Sequence, residues 1–259
     1  MITRPRVLLG DTRSGKLVRR IRQLGWGRCV VRDRPAPSRG EFWMLDCGSW
    51  PTYARAAADG RDPAEVVYER DHFRSQLDAE WAQNRAMRSA SIIVVPDRIG
   101  DGLGSLVESI DWLHDYWSEL QSRADEDDST YDACLRAFMS REHMPWYLGV
   151  QPGMTPHDLD AACWHCDEPI RDHFAGILLG GTASWKGRTG AFWAAYARRH
   201  RLRLHYPRAG TPAKFDHAVE IGADSIDSAL PLWTMDRFEQ FRGHVMYGPL
   251  QISLSLLGG

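Results

Sequence analysis

The sequence predicts an α/β protein, a (β/α)8 barrel of the TIM type formed by a single domain over residues 1–259. Three observations lead there. Eight short apolar runs alternate with segments of helical periodicity, the pattern that builds a parallel sheet, and eight such units close a barrel. The 259 residues match the roughly 250 typical of that fold. Several of the runs also stop at an aspartate, a glutamine or a glycine pair, as expected where strand ends share one working face.

The elements follow in order. Val7-Leu8-Leu9-Gly10 is the first strand, and a basic amphipathic helix runs from Gly15 to Leu24, with Leu17, Val18, Ile21 and Leu24 at helical spacing. The passage from Leu24 to the second strand, Cys29-Val30-Val31, is tight and predicts one irregular unit there. Phe42-Trp43-Met44-Leu45 is the third strand, ending in Asp46-Cys47-Gly48-Ser49-Trp50, and a helix is expected over about Ala64–Arg88. Ser91 to Asp97 is the fourth strand, with Val94-Val95-Pro96-Asp97 at its exit. Between Ser105 and Leu120 the residues Leu106, Ile110, Leu113, Trp117 and Leu120 make one helical stripe that packs on a sheet. The acidic run Asp125-Glu126-Asp127-Asp128 reads as a solvated loop.

Trp146 to Gln151 is the fifth strand, and Thr155-Pro156 then opens a helix with a threonine N-cap and proline at its first position. Phe174–Leu179 is the sixth strand, running into Gly180-Gly181. A helix over Ala191–His200 precedes the seventh strand, Leu202–Pro207. Thr211-Pro212 opens a last helix that closes at Gly222, a suitable C′ residue. The eighth strand lies in Ala223–Pro231 and delivers Asp227 where the chain leaves for a loop. An aspartate there is costly to bury unless it is paired or used, and its ordinary reading is a cap or an ion-paired group. Asp46, Asp97, Gln151, Gly180-Gly181 and Asp227 would then converge on one mouth.

Composition narrows the classes. With 43% hydrophobic and 25% charged residues the chain has the make-up of an ordinary soluble protein. A formal charge of −2 argues against nucleic-acid binding by bulk electrostatics alone and leaves local basic patches open. Eleven tryptophans provide stacking surfaces. No apolar run approaches the roughly 20 residues of a membrane span, and Met1–Gly10 lacks the apolar region of a secretion signal. Five cysteines without a framework suit a reducing cytoplasm, which is the expected location.

The strand ends also carry a resemblance. Leu45-Asp46-Cys47-Gly48-Ser49-Trp50 is similar to the Asp-Ser-Gly-Gly-Tyr segment of the tRNA-guanine transglycosylase superfamily. Ile92–Asp97 resembles that family's strand ending Phe-Asp-Glu, and Leu148-Gly149-Val150-Gln151-Pro152-Gly153 its Gly-Ile-Val-Gln-Gly-Gly stretch. Ala175–Thr182 resembles Tyr-Ala-Ile-Gly-Gly-Leu. Gly210-Thr211-Pro212, followed by Ala223-Asp224-Ser225-Ile226-Asp227, resembles Gly-Thr-Pro…Gly-Val-Asp-Met-Phe-Asp. The pieces run in order over residues 42–234. The nearer likeness is to the DNA 7-deazaguanine transglycosylase branch found in phages and in bacterial modification clusters.

That resemblance implies roles. Asp227 would be the nucleophile at C1′ of a guanosine, and Asp46 the acid/base that protonates the departing base and deprotonates the incoming one, two carboxylates in different states. Asp97 and Gln151 would read the purine edge, with Gly180 and Gly181 beside it and Gly181 lending backbone groups. Trp50 would stack on the base. No cofactor is implied, and the partners are DNA and a 7-deazaguanine base.

The departures shape the expectation further. The family's tRNA enzymes carry a Cys-x-Cys-x-x-Cys…His zinc site after the last strand, and here no cysteine follows Cys166. No metal site and no zinc subdomain are therefore expected, and Cys163-Trp164-His165-Cys166 reads as packing within a helix. This favours DNA over tRNA. Where the tRNA enzymes place Gly-Glu, this chain has Ser184-Trp185-Lys186, which suits a neutral 7-cyano-7-deazaguanine better than a cationic aminomethyl base.

A guanine in DNA must leave the stack to react, which requires backbone clamps. Arg98, Lys186, Arg188, Arg208 and Lys214 are the candidates, whereas Arg198-Arg199-His200-Arg201 reads as basic residues complementing a helix end. Two other readings stay open: a tRNA-type enzyme that lacks zinc, and a barrel that binds nucleic acid or a purine without catalysis. The sequence leaves open any accessory proteins.

Overall fold

The structure, a computed structural model, describes residues 4–31, 41–61, 90–126, 144–163 and 168–256, together with positions 73–75, 77, 78, 129, 132, 133 and 136. Eight strands, β1 (Arg6–Gly10), β2 (Gly27–Val31), β3 (Trp43–Asp46), β4 (Ile92–Val94), β5 (Trp146–Val150), β6 (Gly176–Leu179), β7 (Arg203–Tyr206) and β8 (Ser225–Ser228), pair in sequence order. All pairings are parallel, and β8 returns to β1 with Asp227 opposite Leu8, closing the barrel. The expected fold class is the observed one.

Each strand is short and almost wholly buried because one face fills the barrel and the other meets the helices. The helices whose full extent lies among the described residues are α1 (Gly15–Gln23), α2 (Ser49–Ala58), α3 (Gly102–Asp125), α4 (Pro156–Ala161), α5 (Ala183–Arg199), α6 (Pro212–Ile221) and α7 (Met235–Leu256). Their starts follow local chemistry. Ser14, Asp101, Thr155 and Thr182 each accept a backbone N–H at an N-terminus, and Thr155 with Asp158 forms a full capping box. Thr211 precedes α6 without a side-chain cap bond, so proline at the helix start is the stronger signal there.

Several boundaries differ from expectation. The passage after α1 is regular: it closes with Trp26 N–H donating to Ile21 C=O at 3.1 Å, and β2 begins at Gly27. No irregular unit occurs at that passage. Helix α5 begins at Ala183, well before Ala191, because Thr182 caps it directly after the glycine pair. Asp125 ends α3 rather than lying in a loop, and Asp127 and Asp128 lie outside the described residues. Cys163 is not helical. It forms an isolated antiparallel bridge with Pro169 after α4 has ended, while Trp164, His165 and Cys166 lie outside the described residues. Most of the expected helix 64–88 also lies outside them.

The core holds most of the described tryptophans. Trp43, Trp112, Trp146 and Trp193 are fully buried, and Trp112 stacks on Tyr116 at 5.1 Å while meeting Trp146 edge-on. These large rings make up much of the buried aromatic core. Among the described residues no helix is long and apolar enough to cross a membrane.

Candidate active site

The C-terminal ends of the strands enclose a cavity of about 340 Å³. Asp46, Trp50, Asp97, Gln151, Gly180 and Asp227 all line it, so the structure brings together the strand-end residues singled out from the sequence. Arg208 and Lys214 line it as well.

Asp46 is the last residue of β3. Gly48 follows at φ +82, a left-handed conformation that side-chain-bearing residues rarely adopt. That turn brings the Gly48 N–H 2.9 Å from Asp46 Oδ1 and starts α2 immediately afterwards. Cys29 Sγ lies 3.9 Å from Oδ2. The carboxyl is partly open to the cavity, yet protein surrounds it. Burial, reinforced by the charges of Asp227 and Asp97 and opposed by the Gly48 bond, pushes it up from 3.8 to about 6.

Asp227 sits on β8 in a different setting. Its Oδ1 lies 2.9 Å from His205 Nε2, and His205 Nδ1 lies 2.9 Å from Ser225 Oγ. His205 is completely buried on β7, where it pairs in register with Ser225. An ionised carboxylate only accepts, so Nε2 carries the proton; in a neutral ring Nδ1 then accepts from the Ser225 hydroxyl. The chain Ser225–His205–Asp227 fixes the carboxylate from below. Sequence reasoning missed His205, because a histidine between Leu204 and Tyr206 reads as a core residue. The available signal was the β8 alternation, which puts Ser225 and Asp227 on one face.

Asp97 and Gln151 form a buried pair. Gln151 Nε2 donates to Asp97 Oδ2 at 2.7 Å, and Gln151 Oε1 accepts from Gly181 N–H at 3.0 Å and from Gly100 N–H at 3.4 Å. Burial raises the Asp97 carboxyl, opposed by the Gln151 bond and the Arg208 charge. A Cβ at Gly180 would come 2.4 Å from Gln151 Nε2, so only glycine lets the amide lie flat there. The expectation for Gly181 needs correction: its N–H serves Gln151 and its C=O accepts from Arg208 Nη2, so both backbone groups are engaged within the protein.

Trp50 is half-exposed, stacked on Tyr53 at 5.5 Å, and carries the Arg208 guanidinium 3.9 Å from its ring centre. Arg208 follows β7 at φ +61, uncommon for a residue with a side chain. Burial lowers its pKa, while Asp227 and Asp97 favour its charged form.

The remaining clamp candidates separate. Lys214 reaches the cavity, but Lys186 does not: it is 3% exposed, donates to Pro207 C=O at 2.6 Å and lies 4.5 Å from the centre of the Tyr206 ring. Burial, with Arg208 adding to it, holds its pKa well below the ordinary lysine value. A phosphate clamp at Lys186 is therefore corrected to a buried wall residue. Arg188 is exposed on α5 and bonded to Ser184 Oγ, and Arg98 faces Glu108 at 3.6 Å; neither lines the cavity. Cys29 and Cys47 do, as thiols whose pKa burial raises well above 9.0. Among the described residues no group of three or more His, Cys, Asp or Glu is placed to hold a metal ion.

Comparison of the chain with protein-family models gave no match, and comparison with curated proteins gave none.

Proposed function

We propose that the barrel is a base-exchanging transglycosylase that replaces guanine in DNA with a 7-deazaguanine base. The observation that carries this reading is the contrast between two aspartates on one cavity. Burial holds Asp46 near 6, whereas Asp227 is oriented by His205. Such a pair suits one group that moves a proton and another that attacks.

In the proposed reaction the Asp227 carboxylate attacks C1′ of the nucleotide. The C1′–N9 bond breaks as protonated Asp46 delivers its proton to the departing guanine, leaving an ester between Asp227 and the sugar. The incoming base then gives its N9 proton to the Asp46 carboxylate and attacks C1′, expelling Asp227. Two inversions retain the configuration, as in retaining glycosidases. In this reading the Asp97–Gln151 pair, which lines the cavity, reads the purine edge, and the base stacks on Trp50 in place of the Arg208 guanidinium. The cations lining the cavity are Arg208 and Lys214. They disfavour a cationic 7-substituent, so the neutral 7-cyano base is the proposed donor.

The test is nucleoside mass spectrometry after incubation with 7-cyano-7-deazaguanine and, in parallel, duplex DNA, single-stranded DNA and tRNA. Deazaguanine in DNA that Asp227→Ala abolishes is the expected result. Modified tRNA alone would move the activity to RNA, and no product from any nucleic acid would overturn the reading.

A further inference from the structure

Of the described tryptophans, Trp50 and Trp233 are the exposed ones, and both line the cavity. Trp233 is 70% exposed, the most exposed large apolar side chain among the described residues. The two indoles stand on the rim of one cavity, whereas Trp43, Trp112, Trp146 and Trp193 fill the core. The two rings share a second feature. Arg208 covers Trp50, and the Arg237 guanidinium lies 5.1 Å from the centre of the Trp233 ring.

Trp233 is also tied to the reacting strand. From Asp227 the chain passes through Ser228 into the 3-10 turn Leu230–Leu232. Leu230 N–H donates to Ser228 Oγ at 3.2 Å, Leu232 N–H to Ala229 C=O at 3.0 Å and Trp233 N–H to Leu230 C=O at 3.3 Å. These bonds hold the backbone at residue 233 close to the end of β8. A cavity of about 340 Å³ is at the small end of ligand pockets, roughly 300–1,000 Å³, and takes one nucleoside rather than a length of strand.

We infer that Trp233 is a stacking platform for a nucleobase flanking the reacting nucleotide. This rests on the transglycosylase reading for which nucleotide enters the cavity. A flipped nucleotide leaves its neighbour with an unpartnered face, and an indole at the rim takes that face without regard to sequence. Lys214 at the same mouth and Arg237 beside the ring supply charge for the adjoining phosphates.

The experiment is fluorescence anisotropy with a labelled single-stranded oligodeoxynucleotide carrying one central guanosine, alongside competition by guanosine itself. Trp233→Ala is expected to weaken oligonucleotide binding about tenfold, by a larger factor than it weakens guanosine binding, and Trp233→Phe to restore most of the loss. Oligonucleotide affinity within twofold of wild type in Trp233→Ala overturns the proposal. So does an equal loss for guanosine, which would make Trp233 a wall of the base pocket, and so does absence of oligonucleotide binding by the wild type, which would turn that face to a protein partner. Binding is read without turnover, so the two readings fail separately. Trp233-dependent binding without base exchange removes the transglycosylase, while exchange that ignores Trp233 removes the platform.

Discussion

His205 Nε2 lies 2.9 Å from Asp227 Oδ1, and the histidine that makes this contact is completely buried between two strands. The imidazole cannot reach the cavity contents except through the aspartate. It acts by positioning Asp227. His205→Phe is expected to slow formation of the Asp227 adduct by roughly 10²-fold, the cost of ångström-scale misplacement. The rate should fall with little change in KM for the incoming base, and Asp227→Ala should show no adduct at all. Quenched-flow trapping followed by intact-protein mass measurement reads this. An equal rise in KM would reduce His205 to a packing residue.

Asp46 should cost the protein stability. Its carboxyl titrates near 6 in the folded protein against an ordinary 3.8, so the folded state binds more protons between these values. The stabilising contribution of the protonated form is complete below about 3.8 and is lost as pH rises through about 6. Asp46→Asn, which keeps an acceptor for Gly48 N–H, is expected to be more stable than wild type at pH 8 by about 1–2 kcal/mol. The advantage should vanish toward pH 4, and base exchange should be lost. Urea unfolding at the two pH values checks it; equal midpoints at pH 8 would refute the buried-carboxylate account.

Gly180→Ala would push a methyl against the Gln151 amide, 2.4 Å from Nε2 and 2.7 Å from Oε1. Gln151 must then turn away from Asp97 and Gly181. The expected outcome is a stability loss of about 1–3 kcal/mol together with a raised KM for the incoming base. Unchanged KM would show that the Asp97–Gln151 pair does not read the base.

Lys186 and Lys214 make a matched pair for salt titration. Lys214→Met is expected to lower the slope of log affinity against log salt by about 1, as for a lost phosphate contact. Lys186→Met should leave that slope in place, since its ammonium donates to Pro207 C=O inside the wall. A drop in slope for Lys186→Met would restore it as a clamp.

The strand ends were legible because each polar residue follows an apolar run short enough to be a strand, and a parallel barrel puts such ends on one face. Asp46, Asp97, Gln151, Gly180 and Asp227 emerge from that rule alone, and all line the cavity. What the rule cannot give is lateral neighbours. His205 becomes meaningful only when β7 is set beside β8 in the register that pairs it with Ser225. Lys186 misleads for a related reason: its position in α5 gives a basic residue near the mouth, but the helix face it occupies turns inward, and its long stem takes the ammonium to the Pro207 carbonyl. Trp233 escapes notice because one tryptophan among eleven gives no sign of which will stay in water.

The guanidinium lying on Trp50 changes what an affinity at that ring would mean. The face is occupied, 3.9 Å away, by a side chain whose own backbone sits at φ +61. A flat ligand arriving there substitutes one stacking partner for another, so its observed affinity is a difference between two contacts and understates the strength of the one it makes. By the same reasoning, shortening Arg208 would bare the ring and let planar compounds of many kinds adhere. Residue 208 therefore sets a threshold for stacking on Trp50: a flat ligand gains that face only where its contacts outweigh the displaced arginine.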